Sequence, residues 1–227
     1  MYAKTLLASL VVSAMALLPP MARGQFVGGQ TLDEGRQLAD RSLRDYVAAA
    51  LREDNAQRFG FKNLADAKSA QPGEPIPVLF IGLRELKAYR AGAGVGAVLS
   101  NARALWFPVV VQGEVRSKLE VTEIRGKWVA GEFGRPKAAQ QLMRMYAEVP
   151  KMLEAAQLPK EGRLALVRVP ALGVELFYAT GSKGDHFVVA SMYGEIPDLQ
   201  VGKIYSADVL LGRLSRSAQT VREDQVR

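Results

Sequence analysis

The chain opens on a mostly apolar run, Leu6 to Leu18, and thereafter its apolar positions recur in short periodic groups. From Thr31 to about Asn55 they return at helical spacing, with Ala39, Leu43, Tyr46, Val47 and Ala50 on one stripe. Thr31-Leu32-Asp33-Glu34 has the form of a capping box, in which Thr31 accepts from an early helix amide and Glu34 reaches back. Asp40/Arg44 and Arg41/Asp45 are spaced i,i+4 on the wet side, each pair contributing about 0.2–0.5 kcal/mol. Asn63 to Glu74 is polar and reads as a loop. Ile76 to Leu83 is an unbroken apolar run, suited to a strand covered on both faces. A short helical segment, Arg84 to Arg90, leads into the glycine-rich stretch Gly92 to Ala97.

Leu105 to Val111 is a second apolar strand, and Pro108 places it near a sheet edge or a strand start. After the turn at Gln112-Gly113 the pattern alternates strictly. Val115, Ser117, Leu119 and Val121 take one face, Arg116, Lys118, Glu120 and Thr122 the other, as in a half-exposed antiparallel strand. Arg125-Gly126-Lys127 turns the chain into Trp128 to Phe133, which completes a three-strand meander over 105–133. Gly134-Arg135-Pro136 is punctuation before a second amphipathic helix, Lys137 to Gln157, with Leu142, Met145, Val149, Met152 and Ala156 inward and Pro150 set to kink or split it. Arg163 to Val169, Val174 to Thr180 and His186 to Met192 form a second meander, and Ser206 caps a last helix running to about Ala218. The fold class is therefore α+β: two helix-plus-antiparallel-meander halves, 25–134 and 135–220, with a polar tail at 221–227.

Residues 1–24 read as a signal peptide. Lys4 precedes an apolar run too short for a comfortable membrane span, Pro19-Pro20 breaks it, and Ala22 and Gly24 supply small residues before a cleavage point. An exported chain, periplasmic or secreted, is the expectation. Losing Lys4 and Arg23 with the leader lowers the net charge from +7 to +5. The cations are interleaved with acids, so no nucleic-acid-binding stripe stands out, although weak contact with anionic envelope polymers or lipid surfaces is favoured. The chain has no cysteine, which excludes disulfides, thiolate catalysis and Cys-type metal sites, and one histidine, His186, which excludes a multi-His site within one chain.

The candidate chemistry is thin. Gly92, Gly94 and Gly96 suggest a nucleotide loop, but the fingerprint needs a strand before it and a helix after it, and here a helix precedes. A recognition loop over 91–101 is the functional alternative. Asp185-His186 lies beside the Gly181–Gly184 turn, with Ser182 and Ser191 nearby and no nucleophile elbow in the chain. Met143 and Met145, two residues apart on a helix, point away from each other and read as packing rather than as copper ligands. Among the cations, Arg116 and Lys118 on one strand face and Arg125 and Lys127 at the next turn suggest a basic patch for an acidic peptide, a glycan or a lipid head group. The bland reading is that they guard a sheet against stray pairing.

The leading functional expectation is a non-enzymatic binding module of the cell envelope, with a chaperone-like role as one version of it. It uses no cofactor and takes a protein, a peptide or an anionic envelope component on its sheet face, its sheet edge or the loop at 91–101. Two alternatives are carried forward: a carboxylate hydrolase with a cleft between the halves, and a peripheral membrane-surface binder using its basic faces and Arg213, Arg216 and Arg222.

Overall fold

The computed structural model describes residues 29–158 and 161–222. The expected signal peptide and the last five residues of the tail lie outside the described residues. The first helix, α1 (Gly29–Ala50), starts before Thr31, so that residue sits inside the helix rather than capping it. Its C-terminal end is set by Asn55, whose side chain accepts from Arg52 N (2.8 Å) and donates to Ala50 O (3.0 Å). The polar stretch expected to be a loop holds a short helix, α2 (Leu64–Lys68), capped by Asn63, whose side chain accepts from Asp66 N at 2.8 Å. Next come β1 (Gln71–Pro72), β2 (Ile76–Ile81) and α3 (Leu83–Ala88). The first meander is β3 (Leu99–Val111), β4 (Glu114–Ile124) and β5 (Lys127–Gly134). It is followed by α4 (Pro136–Ala155), β6 (Glu161–Val169), β7 (Val174–Gly181), β8 (Gly184–Met192), β9 (Ile204–Ser206) and α5 (Ala207–Ala218).

The nine strands of the described residues belong to one mixed, mostly antiparallel sheet in the order β5-β4-β3-β2-β6-β7-β8-β9, with β1 added alongside β3. Its one parallel junction joins β2 to β6, with Val78 opposite Leu166. The fold is α+β. Pro108 is not at an edge: it lies buried in the body of β3, between the stretch paired with β2 and the stretch paired with β1. Its carbonyl accepts from Gly73 N at 2.7 Å, so its missing N–H falls at the break between those two partners, where no ladder bond is lost.

Helices cover both faces of the sheet, as period-two alternation requires. On β3, Leu105, Phe107, Val109 and Val111 pack with Ala39, Leu43 and Val47 of α1. Ala104 and Trp106 point the other way, to Leu142, Val149 and Leu153 of α4. That second cluster also takes Leu164 and Leu166 of β6, Phe177 of β7 and Val188 of β8. Beyond the central junction, α3 and α5 pack on the α1 face, with Leu86, Leu210, Leu211 and Leu214 against Val167, Leu176 and Phe187. The α4 helix runs through Pro150 as one element. Pro150 is exposed and its neighbours Val149 and Leu153 are buried, so the sheet holds the helix on both sides of the lost hydrogen bond. Among the described residues no helix is long and apolar enough to cross a membrane.

Candidate binding site

The expected basic patch divides in two. Arg116 and Lys118 do not present an exposed face: their side chains are 12% and 7% exposed and both are ion-paired. For Arg116 a β-bulge is the cause: Val109 pairs with Ser117 and Val110 with Val115, which leaves Arg116 as the extra residue and breaks the alternation there, whereas Lys118 keeps the face of Glu120 and is enclosed by its acidic neighbours. Arg116 binds Glu114 (2.7 Å) and lies 3.8 Å from Asp66, while its Nε is buried with no hydrogen-bond partner. Arg125 and Lys127 stay exposed at the tip of the β4–β5 hairpin.

Lys118 instead belongs to a chain of charges laid across the α4 face of the sheet. Its Nζ donates to Glu132 on β5 at 2.5 Å and lies 3.9 Å from Glu120 on its own strand. Arg135 also binds Glu132. Arg168 of β6 reaches over β2 and β3 to give Glu120 two hydrogen bonds, at 2.9 and 2.8 Å, and it donates to Glu175 of β7 at 3.2 Å. Ser191 of β8 closes the row on Glu175 at 3.0 Å. Burial pulls the Arg168 guanidinium down, but Glu120 and then Glu175 outweigh it and hold it above its ordinary value. Burial raises the Glu132 carboxyl, yet the Lys118 hydrogen bond, followed by the charges of Lys118, Arg135 and Arg168, holds it below its ordinary value. The sequence carries a signal for this row that pairing arguments overlook. Arg168 is the one charge inside the buried run Leu164–Val169, and a charge there needs partners.

The glycine loop lies elsewhere. Gly92 and Gly94 have φ of +83° and +76°, and all three glycines face open space. Val95 and Val98, 4% and 2% exposed, pin the loop to the core under α5. Tyr89 adds a hydrogen bond to Asp208 of α5 at 2.8 Å. Burial, with the Asp208 contact next, pushes the Tyr89 hydroxyl above its ordinary value. His186 sits at the start of β8 opposite Ala179, its Nδ1 3.2 Å from Gly184 O, while Ser191 is engaged by Glu175. Met143 and Met145 pack against the α4 core. Among the described residues no group of three or more His, Cys, Asp or Glu side chains is placed to hold a metal ion.

The sequence offers no sign of a concavity beside α5, where the structure has one. A cleft of about 720 Å³ opens between residues 171–173, the loop 193–198 and the outer side of α5. Leu172, Ile196 and Pro197 give it apolar wall, Glu195 and Asp198 contribute carboxylates, and Arg213, Arg216 and Ser217 line the α5 side. Tyr193 stands at its rim, 73% exposed. The loop is pinned by Tyr205, whose hydroxyl accepts from Gln200 N (3.0 Å) and donates to Asp198 O (3.2 Å). Arg213 donates to the same carbonyl and lies over the Tyr205 ring, 5.1 Å from its centroid. Arg216 is exposed and has no ion-pair partner among the described residues. Two of the arginines singled out for surface contact thus meet at one cleft; the third, Arg222, is exposed just past α5. Comparison with protein-family models, with curated proteins and with solved structures finds no match.

Proposed function

We propose that the protein is an exported envelope binding module that takes an acidic segment of a protein or peptide in the cleft beside α5. The observation that carries this reading is the combination around one cavity of about 720 Å³ of an exposed Tyr193, an Arg216 without an ion-pair partner among the described residues, and an apolar wall. An aromatic that stays 73% exposed contributes little to folding and is well placed to cover an apolar side chain of a ligand. A free guanidinium beside it suits a carboxylate, which it can hold through two parallel hydrogen bonds. Export rests on the leader-like residues 1–24. The two-half organisation is part of the same proposal: β2 to β5 step outward one way from the central junction, and β6 to β9 step outward the other.

The hydrolase alternative expected a cleft between the halves; in the cleft beside α5 the acids on the wall are Glu195 and Asp198. Both are exposed, whereas a general acid needs a carboxyl kept protonated by burial or by a neighbouring negative charge. The row at Arg168 suits catalysis less, because Glu120 and Glu175 share one guanidinium.

The test is binding of fluorescent peptides that alternate Glu or Asp with Leu or Phe, read by anisotropy, against a control set with Lys replacing the acids. The acidic set binds and the basic set does not. Arg216→Glu and Tyr193→Ala each weaken binding at least tenfold, with unchanged far-UV circular dichroism. Equal affinity for both peptide sets would reject the reading. Peptide cleavage that is lost in Glu195→Gln would replace it with the enzyme.

A further inference from the structure

We infer that two copies of this chain associate through β5, edge to edge and antiparallel, with Val129 on the two-fold axis. This goes beyond the cleft and uses a different part of the molecule. Among the described residues β5 ends the sheet and pairs with β4 alone. Its free backbone groups follow from the hairpin. Arg125 and Gly126, with φ of +52° and +78°, form a two-residue turn closed by the pair Ile124–Lys127. The closing pair of such a turn is hydrogen-bonded, and bonded and non-bonded pairs then alternate. Lys127 and Val129 therefore turn their N–H and C=O towards β4, whereas Trp128 and Ala130 turn theirs outward.

An antiparallel second copy that sets Trp128 against the second copy's Ala130 satisfies all four outward N–H and C=O pairs at once. The same register places Val129 directly opposite Val129 of the second copy. Val129 is 38% exposed and Ile124, on the same face near the hairpin tip, is 55% exposed; they are two of the few large apolar side chains the described residues leave open. Lys127 then lies opposite Gly131 of the second copy, where β5 carries an extra residue. The bulge brings Glu132 onto the face that holds Val129 and Lys127, since Glu132 binds Lys118 on that side. The Glu132 side chain remains 41% exposed, so Lys127 of one copy meets Glu132 of the other on both sides of the axis. Hydrogen-bond phase, apolar contact and charge thus agree in one register, and that register is self-complementary as a two-fold demands. The bulge, and the Tyr46 hydroxyl bonded to Gly131 O (3.0 Å), confine the pairing to a short stretch. The contact is small, so the dimer is weak and depends on concentration.

Sedimentation velocity of the intact chain, over about 5 to 500 μM, spans the range for a weak contact of this size. The expected result is a monomer–dimer equilibrium shifted at least tenfold towards monomer by Val129→Glu, which places like charges on the axis. Because the chain lacks cysteine, Val129→Cys gives an independent reading: non-bonded pairs set Cα atoms about 4.5 Å apart, within disulfide range. Mild oxidation should cross-link Val129→Cys into dimers and leave Val209→Cys, at a 46% exposed position on α5, monomeric. A monomer throughout the range would overturn the inference, as would a dimer that Val129→Glu leaves unchanged or equal cross-linking of the two cysteine variants. If Val129→Glu does not fold, the cysteine pair decides.

Discussion

Arg168 is the residue on which the polar side of the sheet turns. Its side chain is 19% exposed and serves two carboxylates on different strands. Arg168→Ala leaves Glu120 and Glu175 part-buried without it, and removing one partner of a buried pair costs about 3 kcal/mol. The urea midpoint should fall accordingly, while the triple change Arg168→Met, Glu120→Gln, Glu175→Gln should recover most of the loss. Glu132 sets the acid side of the stability profile. Its carboxyl is held below its ordinary value, so its contribution is complete above the unfolded value of about 4.3 and is lost as pH falls through the lower folded value. Urea midpoints measured between pH 5 and pH 3 should drop less in Glu132→Gln than in the parent. The glycines of the loop separate by conformation rather than by space. Gly94→Ala places a side chain at φ +76° and should cost about 1–2 kcal/mol, whereas Gly96→Ala, with no positive φ and no contact, should be neutral or slightly stabilising on thermal melts.

At the scale of elements, periodicity located the two long helices and the two meanders, because apolar positions at 3.6 and 2 residues are what those elements bury. It failed where local hydrogen bonds or a break in the repeat decided the outcome. Asn55 ends α1 early, Asn63 starts α2 inside an apparent loop, and the bulge at Arg116 turns a strict alternation into two differently facing stretches. The short β9 carries too few residues to show a period. Pro150 is the clearest case of tertiary override, since a break expected from propensity is spanned by a helix held down by Val149 and Leu153. Restoring the missing N–H with Pro150→Ala should raise stability by about 1–3 kcal/mol, read from the denaturation midpoint.

For the whole molecule, the decisive feature is that one sheet runs through both meanders. Ile76, Val78, Ala104 and Trp106 find their cover in α4, which follows the first meander in sequence and also packs on strands of the second. A fragment of residues 25–134 would leave Trp106, 1% exposed in the whole chain, without that cover, and losing a buried aromatic's contacts costs about 3–5 kcal/mol. The fragment should therefore show poorly dispersed NMR spectra, and the intact chain should unfold in a single transition by circular dichroism and tryptophan fluorescence alike. The candidate site belongs to this scale too. Arg213 and Arg216 were visible as surface cations, but their meeting with Tyr193, Leu172 and Ile196 depends on how α5 docks against the turns after β6 and β8.

What the amino-acid order determined by itself is local: the long helices and the strands of the two meanders, the lack of cysteine, the α+β class and a leader-like first segment. These follow from side-chain periodicity, turn residues and composition, each contained within a few residues of chain. What only the tertiary structure decided is every relation between distant positions: the parallel β2–β6 junction, the row joining Arg168 to Glu120, the burial of Lys118 and the cleft beside α5. Those rest on which faces meet, and a contact between positions 48 residues apart leaves no periodic trace in one sequence because its energy is gained only when the strands between them are already in place.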